Sequence, residues 1–573
     1  MLRFARLEGV APNDFYDAAV RSMSMSWHNF LFGAFDPRAL LSIDKPPLDL
    51  WLQVVSVKLL GFGRIALQLP AAIAGTLAVP ALYFAVRGAC GRPAALGSAL
   101  ALAVTPASVL TARSDTMDAL MMLLVTGALW LTVRACADGR GRREIVLAGI
   151  ALGVAFNVKL LEGMLCLPAL ATMYLLGGAA PVRRKLADLL LGAAALLVLG
   201  LAWVLPASLW PGRHPWPVGS ASGSLWDALF VFNGVSRVSG TPDRRPGGPG
   251  PFRLEVSTGW HYDRLFGCVL VAALAIGGVA VVTAWRRREP GSGLAGAFAA
   301  ALAVWILAGL AVFDTIGTVH ARYLDALAPA VAAAIGCGAA WLAGLGGGGR
   351  SRRPPVPAAL AALACVSAYT FHFGIPAAEW GAVALLVAAL GAGLATSASG
   401  RLGAGSRWAL CGLALAVGLA YPVRETLALI RARDNDSLGL AVAPRREIAA
   451  LSRFLIPRDR GTRYELAVDE PLQLAPLIIR DGRAILPLTS WGGRPLTGLA
   501  ALQADVRSGA VRYGLVGAYR CGPANPRAAA CGPAAEWIRR SGIDVSREAG
   551  LRGRSRLYLL QAPSRSVSSG GSG

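Results

Sequence analysis

Between residues 66 and 428 the chain is built from apolar runs rich in Leu, Ala, Val and Gly, separated by short polar loops. No other feature narrows the possible folds as much. Inside a bilayer no water is available to hydrogen-bond a peptide group, so a run that crosses it must satisfy its own backbone as a helix. A crossing takes roughly 20 residues, used loosely here because several runs are short or broken. By that measure about twelve runs are candidates: 66–86, 94–110, 118–135, 144–158, 160–178, 187–206, 263–284, 293–312, 323–345, 356–373, 380–398 and 408–428. Only 16% of the 573 residues are charged, against about 25% in an average soluble protein. The expected fold class is an α-helical polytopic membrane protein.

The net charge is +23. Nucleic acid is set aside as a partner, because the arginines sit in short clusters between apolar runs and no basic aromatic platform accompanies them. The clusters occupy every second loop: Arg87 and Arg92, Arg134 to Arg143, Arg183 to Lys185, Arg286 to Arg288, Arg350 to Arg353, Arg401 and Arg407. Basic loops stay cytoplasmic. Segments 1–65, 111–117, 207–262 and 313–322, and everything after about 430, are then expected outside. "MLRFARLEGV" reads as the tail of a helix, so the open reading frame is expected to start upstream of Met1 and to add one more span.

Residues 1–430 are read as a transmembrane domain, with interfacial helices in the first outer loop, 1–65, and a second outer loop at 207–262. Past residue 430 the texture changes. Short runs such as "RYELAVD", "AILPLT" and "VRYGLVG" alternate with helical patterns such as "PRREIAALSRFLI", which predicts an extracytoplasmic α/β domain over 431–563. Residues 564–573 read as a flexible tail. Seven of the nine cysteines lie singly in or beside apolar segments and read as small buried hydrophobes. Cys521 and Cys531 flank a polar loop; they would pair in an exported domain and stay reduced in the cytosol.

An ionised side chain in a membrane helix is costly and marks a candidate site. By the charge argument the polar residues gather on one side. "LSIDKPPLDLW" carries Asp44 and Lys45, and the first loop adds Asn13, Asp14, Tyr16, Asp17, His28, Asn29 and Asp36. "TARSDTMDAL" carries Arg113, Asp115 and Asp118. "FNVKLLEG" carries Lys159 and Glu162, and "FDTIGTVHARYLDAL" carries Asp314, His320, Arg322, Tyr323 and Asp325. Lysine and arginine hold a phosphate, as point charge or fork. Carboxylates orient sugar hydroxyls, bind a divalent metal or take a proton from a nucleophile. Together the set suits a lipid phosphate carrying a sugar. Each residue also has a plainer reading: Lys45 snorkelling with Asp44 as ion partner, Lys159 and Glu162 as an i, i+3 pair, Asp36 and Arg38 as turn formers, and His261 and Tyr262 as packing residues.

"FYDAAVRSMSMSWHNFLFGAFDP", "SIDKPPLDLWLQ", "LTARSDTMDALMM" and "AFNVKLLEG" resemble the bacterial membrane glycosyltransferases related to protein O-mannosyltransferases and to the lipid A aminoarabinose transferase, of the C-type superfamily. The resemblance covers most of residues 8–345. It implies about eleven to thirteen spans, a polyprenyl-phosphate sugar donor and one inverting displacement on the outer face of the cell membrane. It implies that Lys45 and Lys159 hold the donor phosphate, that Asp44 stands near the phosphate or a metal, and that Asp118 contacts the sugar. Relatives carry an Asp-Glu pair shortly before the tyrosine that aligns with Tyr16. By strict register those positions are Pro12 and Asn13 here, which leaves Asp14 as candidate general base and Asp115 as second. Phe15 stands where relatives have an arginine, so Arg113 is the substitute expected at the phosphate. Tyr16, His320 and Arg322 complete the sugar and acceptor contacts.

Three functions follow: a glycosyltransferase acting on a cell-envelope acceptor, a transporter or flippase of similar lipids, and an envelope scaffold with a degenerate site. A transporter should show repeats or paired broken helices; no repeat is evident, and the polar residues sit at one face instead of the midplane. The transferase reading requires Asp14, Lys45, Asp118 and Lys159 to meet at the outer boundary of the bilayer.

Overall fold

The structure, a computed structural model, describes residues 1–137, 141–239, 293–316, 321–343, 345, 403–434, 445–458, 461–490, 493–517 and 531–561. The spans expected at 263–284, 356–373 and 380–398 lie outside them, as do His261, Tyr262, Cys268, His320, Cys365, Cys521 and the tail. The chain divides into two compact units, each described by itself: one of Met1–Pro12, Gly63–Leu205 and Gly234–Ser437, the other of Asn13–Phe62, Pro206–Asn233 and Leu438–Gly573.

The first unit is helical. Among the described residues four helices are long and apolar enough to cross a membrane: Arg64–Cys90, Asp118–Ala137, Gly141–Met164 and Gly293–Thr315. A fifth is reached if the bent pair Ala404–Ala416 and Gly418–Ala432 counts as one crossing. Three expected spans take a different form. The run 94–110 is broken into Arg92–Val104 and Pro106–Thr111 by an extended Thr105, because the ring of Pro106 disfavours helical geometry in the residue before it. The runs 144–158 and 160–178 become a helix Gly141–Lys159 that tightens into a 3-10 turn, Leu160–Met164, before the helix Leu167–Gly177. Helix Gly141–Lys159 packs closely on Val182–Leu201. A Cβ on Gly149 would collide with the backbone of Gly192, so this approach depends on small residues, the usual basis of helix association in lipid.

The second unit joins the first polar segment to the C-terminal region. Helix Asp14–Met23 starts at Asn13, whose side chain accepts from the Tyr16 amide, the usual way of satisfying an orphan N–H at a helix start. Helix Trp27–Phe32 is capped by Ser26 and ends at Gly33, whose φ of 62° is left-handed. The side chains of Ile43 and Pro47 leave little room there for a Cβ. Strand β1 (Leu41–Ser42) then pairs in parallel with β2 (Trp216–Pro217).

The C-terminal part carries a five-stranded sheet in the order β4-β3-β5-β7-β6. β3 (Ala467–Val468), β4 (Leu486–Pro487) and β5 (Tyr513–Gly517) are parallel. β6 (Ile543–Asp544) and β7 (Ser555–Leu559) close one side, with β7 antiparallel to both β5 and β6. Leu486, Leu488, Leu502, Val516 and Ile538 form its core, and Leu40 packs against them. Helix Asp14–Met23 lies on helix Ala475–Asp481. The segment 13–62, read from sequence as part of the transmembrane domain, is thus built into the unit that holds the sheet. Cys531 is disulfide-bonded.

Candidate functional site

The candidate residues fall into two sets, one in each unit. In the second unit the turn that delivers Lys45 is organised by Asp36. Its carboxylate accepts from the amides of Arg38, Leu40 and Leu41 at 3.0, 2.8 and 2.8 Å. This is the turn role that the Asp-Pro sequence predicts. Asp36 is fully buried, and the loss of hydration pushes its pKa up to about 6 in spite of those hydrogen bonds. Beyond β1 the chain runs into Asp44, Lys45 and the proline pair. Lys45 Nζ lies 2.5 Å from Asp44 Oδ2 and donates to the Tyr16 hydroxyl at 3.5 Å. The Asp44 carbonyl accepts from Asn233 Nδ2 at 2.6 Å. Asp14 opens the helix that carries Tyr16 and is half-buried; Asp17, one turn on, is buried.

In the first unit Lys159 is the centre. It is the last residue of its helix, and Leu160, with φ at +51°, turns the chain there. Lys159 donates to Asp118 and lies 2.5 Å from Glu162 Oε2. Its ammonium also stands 4.9 Å from the centroid of the Tyr323 ring, within cation–π range. Asp118 opens its own helix, where a carboxylate is favoured by the helix dipole. Arg322, half-buried, acts on Lys159 as a like charge. Asp325 is fully buried and accepts from Thr111 Oγ1 at 2.8 Å. The i, i+3 pair of Lys159 and Glu162 is present as the spacing suggests, but Asp118 is a partner 41 residues away that no local pattern announces. Asn233, which fastens the Asp44 carbonyl, was likewise missed, for it belongs to an otherwise apolar stretch.

Two expected residues are placed in ways that bear on their roles. Arg113 is buried and donates to the carbonyls of Leu2 and Ala5. Its Nε and remaining terminal nitrogen find no hydrogen-bond partner among the described residues, so donors remain for an anion. Burial lowers its pKa. Asp115 is buried in the same loop. As for a metal at Asp44, its carboxylate stands against an ammonium, and no group of three or more His, Cys, Asp or Glu among the described residues is arranged to hold an ion. That donor set does not fit a divalent cation.

Both sets can do the same kind of chemistry. A lysine held by carboxylates is oriented and charged, and an entering phosphate would take the place of a carboxylate at the ammonium.

The fold is shared with solved structures. It is similar to ArnT from Cupriavidus metallidurans bound to undecaprenyl phosphate, with a TM-score of 0.57, 19% identity, and 97% of this chain and 95% of that one covered. It is also similar to the oligosaccharyltransferase AglB from Archaeoglobus fulgidus in complex with an inhibitory peptide and a dolichol-phosphate, with a TM-score of 0.52, 14% identity, and coverage of 92% and 68%. The class so defined is a class of fold, the one that holds these two structures. Within that class, residues 44–210, which include Lys45, Asp118 and Lys159, match the family described as dolichyl-phosphate-mannose-protein mannosyltransferase. Two proposed mannosyltransferases of Bacillus subtilis (strain 168) are similar. YkcB is 32% identical over 229 residues, 40% of this chain and 32% of its own length. YycA is 34% identical over 230 residues, 40% and 33%. The chain therefore spans about a third of the length of the curated relatives it matches.

Proposed function

We propose that this chain is a membrane glycosyltransferase that moves one hexosyl or pentosyl group from a polyprenyl phosphate to an acceptor of the cell envelope. The observation that carries the reading is the pair of carboxylate-held lysines, Lys45 and Lys159, both inside the segment that matches the mannosyltransferase family. Support also comes from ArnT, which shares the fold and binds undecaprenyl phosphate.

In this reading Lys45 and Lys159 neutralise the donor phosphate as it leaves, and the two spare donors of Arg113 add to them. Charge that develops on a leaving group is where fixed cations lower a barrier most. The acceptor oxygen attacks the anomeric carbon from the face opposite the phosphate, the bond to the phosphate oxygen breaks, and the configuration inverts. The acceptor proton goes to Asp14, with Asp115 as the second candidate base. Asp118 contacts the sugar, and Tyr16, His320 and Arg322 complete the sugar and acceptor contacts. No step is assigned to a metal. The reaction belongs on the outer face, a placement supported by the alternation of basic loops and by the disulfide at Cys531.

The test supplies the purified protein with radiolabelled polyprenyl-phosphate sugars and envelope extract. Labelled product should form with the parent and be lost in Asp14→Asn, Lys45→Ala and Lys159→Ala. Undiminished transfer in both lysine variants would sink the phosphate assignment.

A further inference from the structure

The sheet of the second unit has a feature that transfer chemistry does not use. In the parallel part of the sheet β4 lies on one side of β3 and β5 on the other. The connections leaving β3 and entering β5 therefore run in opposite directions across the sheet, which opens a crevice at the carboxyl ends of these two strands. In open α/β sheets that crevice is where ligands bind. Here it is a cavity of about 380 Å³, within the range of about 300–1,000 Å³ usual for small-molecule sites.

Its chemistry comes from several separate elements. Asp469 and Glu470 follow β3, Gly517 ends β5, Glu447 is on helix Arg445–Leu455, and Arg554 precedes β7. Asp469 is 3% exposed, and its Oδ2 accepts from the Gly517 amide at 2.8 Å. That bond ties the ends of β3 and β5 together and fixes the carboxyl in the wall. Burial raises the pKa of Asp469 and of Glu470, and the neighbouring acid raises Glu470 further. The lining also carries the aliphatic side chains of Leu451, Leu515 and Leu551.

We infer that this crevice binds a neutral saccharide of one or two rings. Carboxylates accept hydrogen bonds and a guanidinium donates them, and a sugar hydroxyl does both. The aliphatic side chains suit the C–H face of a sugar ring. Arg554 in the lining, together with Arg539, which acts electrostatically on Asp469, disfavours a cationic ligand, and no metal-holding group exists among the described residues. The inference does not rest on the transferase reading.

Binding is measured on the full-length chain in lipid nanodiscs by saturation-transfer NMR and calorimetry. A Lys45→Ala background is used, so that a change at the crevice is not confused with one at the candidate phosphate site. The probes are methyl α-mannopyranoside, methyl β-galactopyranoside and trehalose, with putrescine as a cationic control. At least one neutral sugar should bind saturably, with Kd in the millimolar range. Glu470→Gln should weaken it about tenfold, the loss expected for one charge-assisted hydrogen bond. Ser555→Tyr, which adds bulk at a half-buried lining residue and removes no charge, should abolish it while leaving Tm unchanged. The inference is overturned if no neutral sugar binds, if putrescine alone binds, or if Glu470→Gln and Ser555→Tyr both bind sugar as the background does.

Discussion

Lys45 and Lys159 are two answers to the problem of keeping an ammonium among carboxylates. The Lys45 side chain is 13% exposed, with one adjacent carboxylate and a tyrosine hydroxyl as partners. The Lys159 side chain is 3% exposed and sits between two carboxylates and an aromatic ring. Desolvation decides what each pair is worth. A pair in contact with water contributes little to folding. A buried charge must be matched, and removing its match is expensive. The first pair keeps some contact with water and the second almost none, so the second lysine carries more of the fold's stability than the first.

Lys159→Ala tests that contrast most severely. It leaves Asp118 buried and unmatched, and should destabilise the protein by about 3–5 kcal/mol, read as a lower Tm in detergent. A loss no greater than that of Lys45→Ala would place the two lysines together. Lys45→Ala should lower transfer about hundredfold and cost less stability than Lys159→Ala, because its pair is the less deeply buried of the two.

Asp36 sharpens the comparison from the second unit. Its folded pKa of about 6 lies above the ordinary 3.8. The stability it contributes is fully present below the ordinary value and is lost as pH rises through about 6. Unfolding followed from pH 4 to 7 should show that decline, at no more than about 1.4 kcal/mol per pH unit, and Asp36→Asn should flatten it. The smallest effect belongs to Gly33→Ala. A left-handed φ and close contacts with Ile43 and Pro47 should cost about 1 kcal/mol, and any fall in transfer would report a displaced Lys45.

Much of this was legible in the sequence, and the reasons differ by scale. Helices such as Arg64–Cys90, Asp118–Ala137 and Gly293–Thr315 follow from run length alone, since lipid leaves the backbone few alternatives. Local devices were legible too: the Asp36 turn and the Lys159–Glu162 spacing are contained in a few residues. Long-range partners were not. Nothing near Asp118 indicates Lys159, and nothing in "TARSD" shows Arg113 turned toward the carbonyls of Leu2 and Ala5. The order of the sheet was equally hidden, because strands as short as Ala467–Val468 and Leu486–Pro487 carry almost no periodicity. The union of residues 13–62 with the C-terminal region is a matter of tertiary packing, and composition pointed to a different grouping.

The short ladder between Leu41–Ser42 and Trp216–Pro217 has an evolutionary corollary. Trp216 and Val218 donate their amides to the carbonyls of Leu40 and Ser42 at 2.9 and 3.0 Å, and Asn233 grips Asp44 a few residues on. Two stretches far apart in the gene thus share responsibility for where one ammonium sits. A chimera that imports either stretch from a relative without its counterpart would inherit a misplaced lysine, so the two are expected to change in concert.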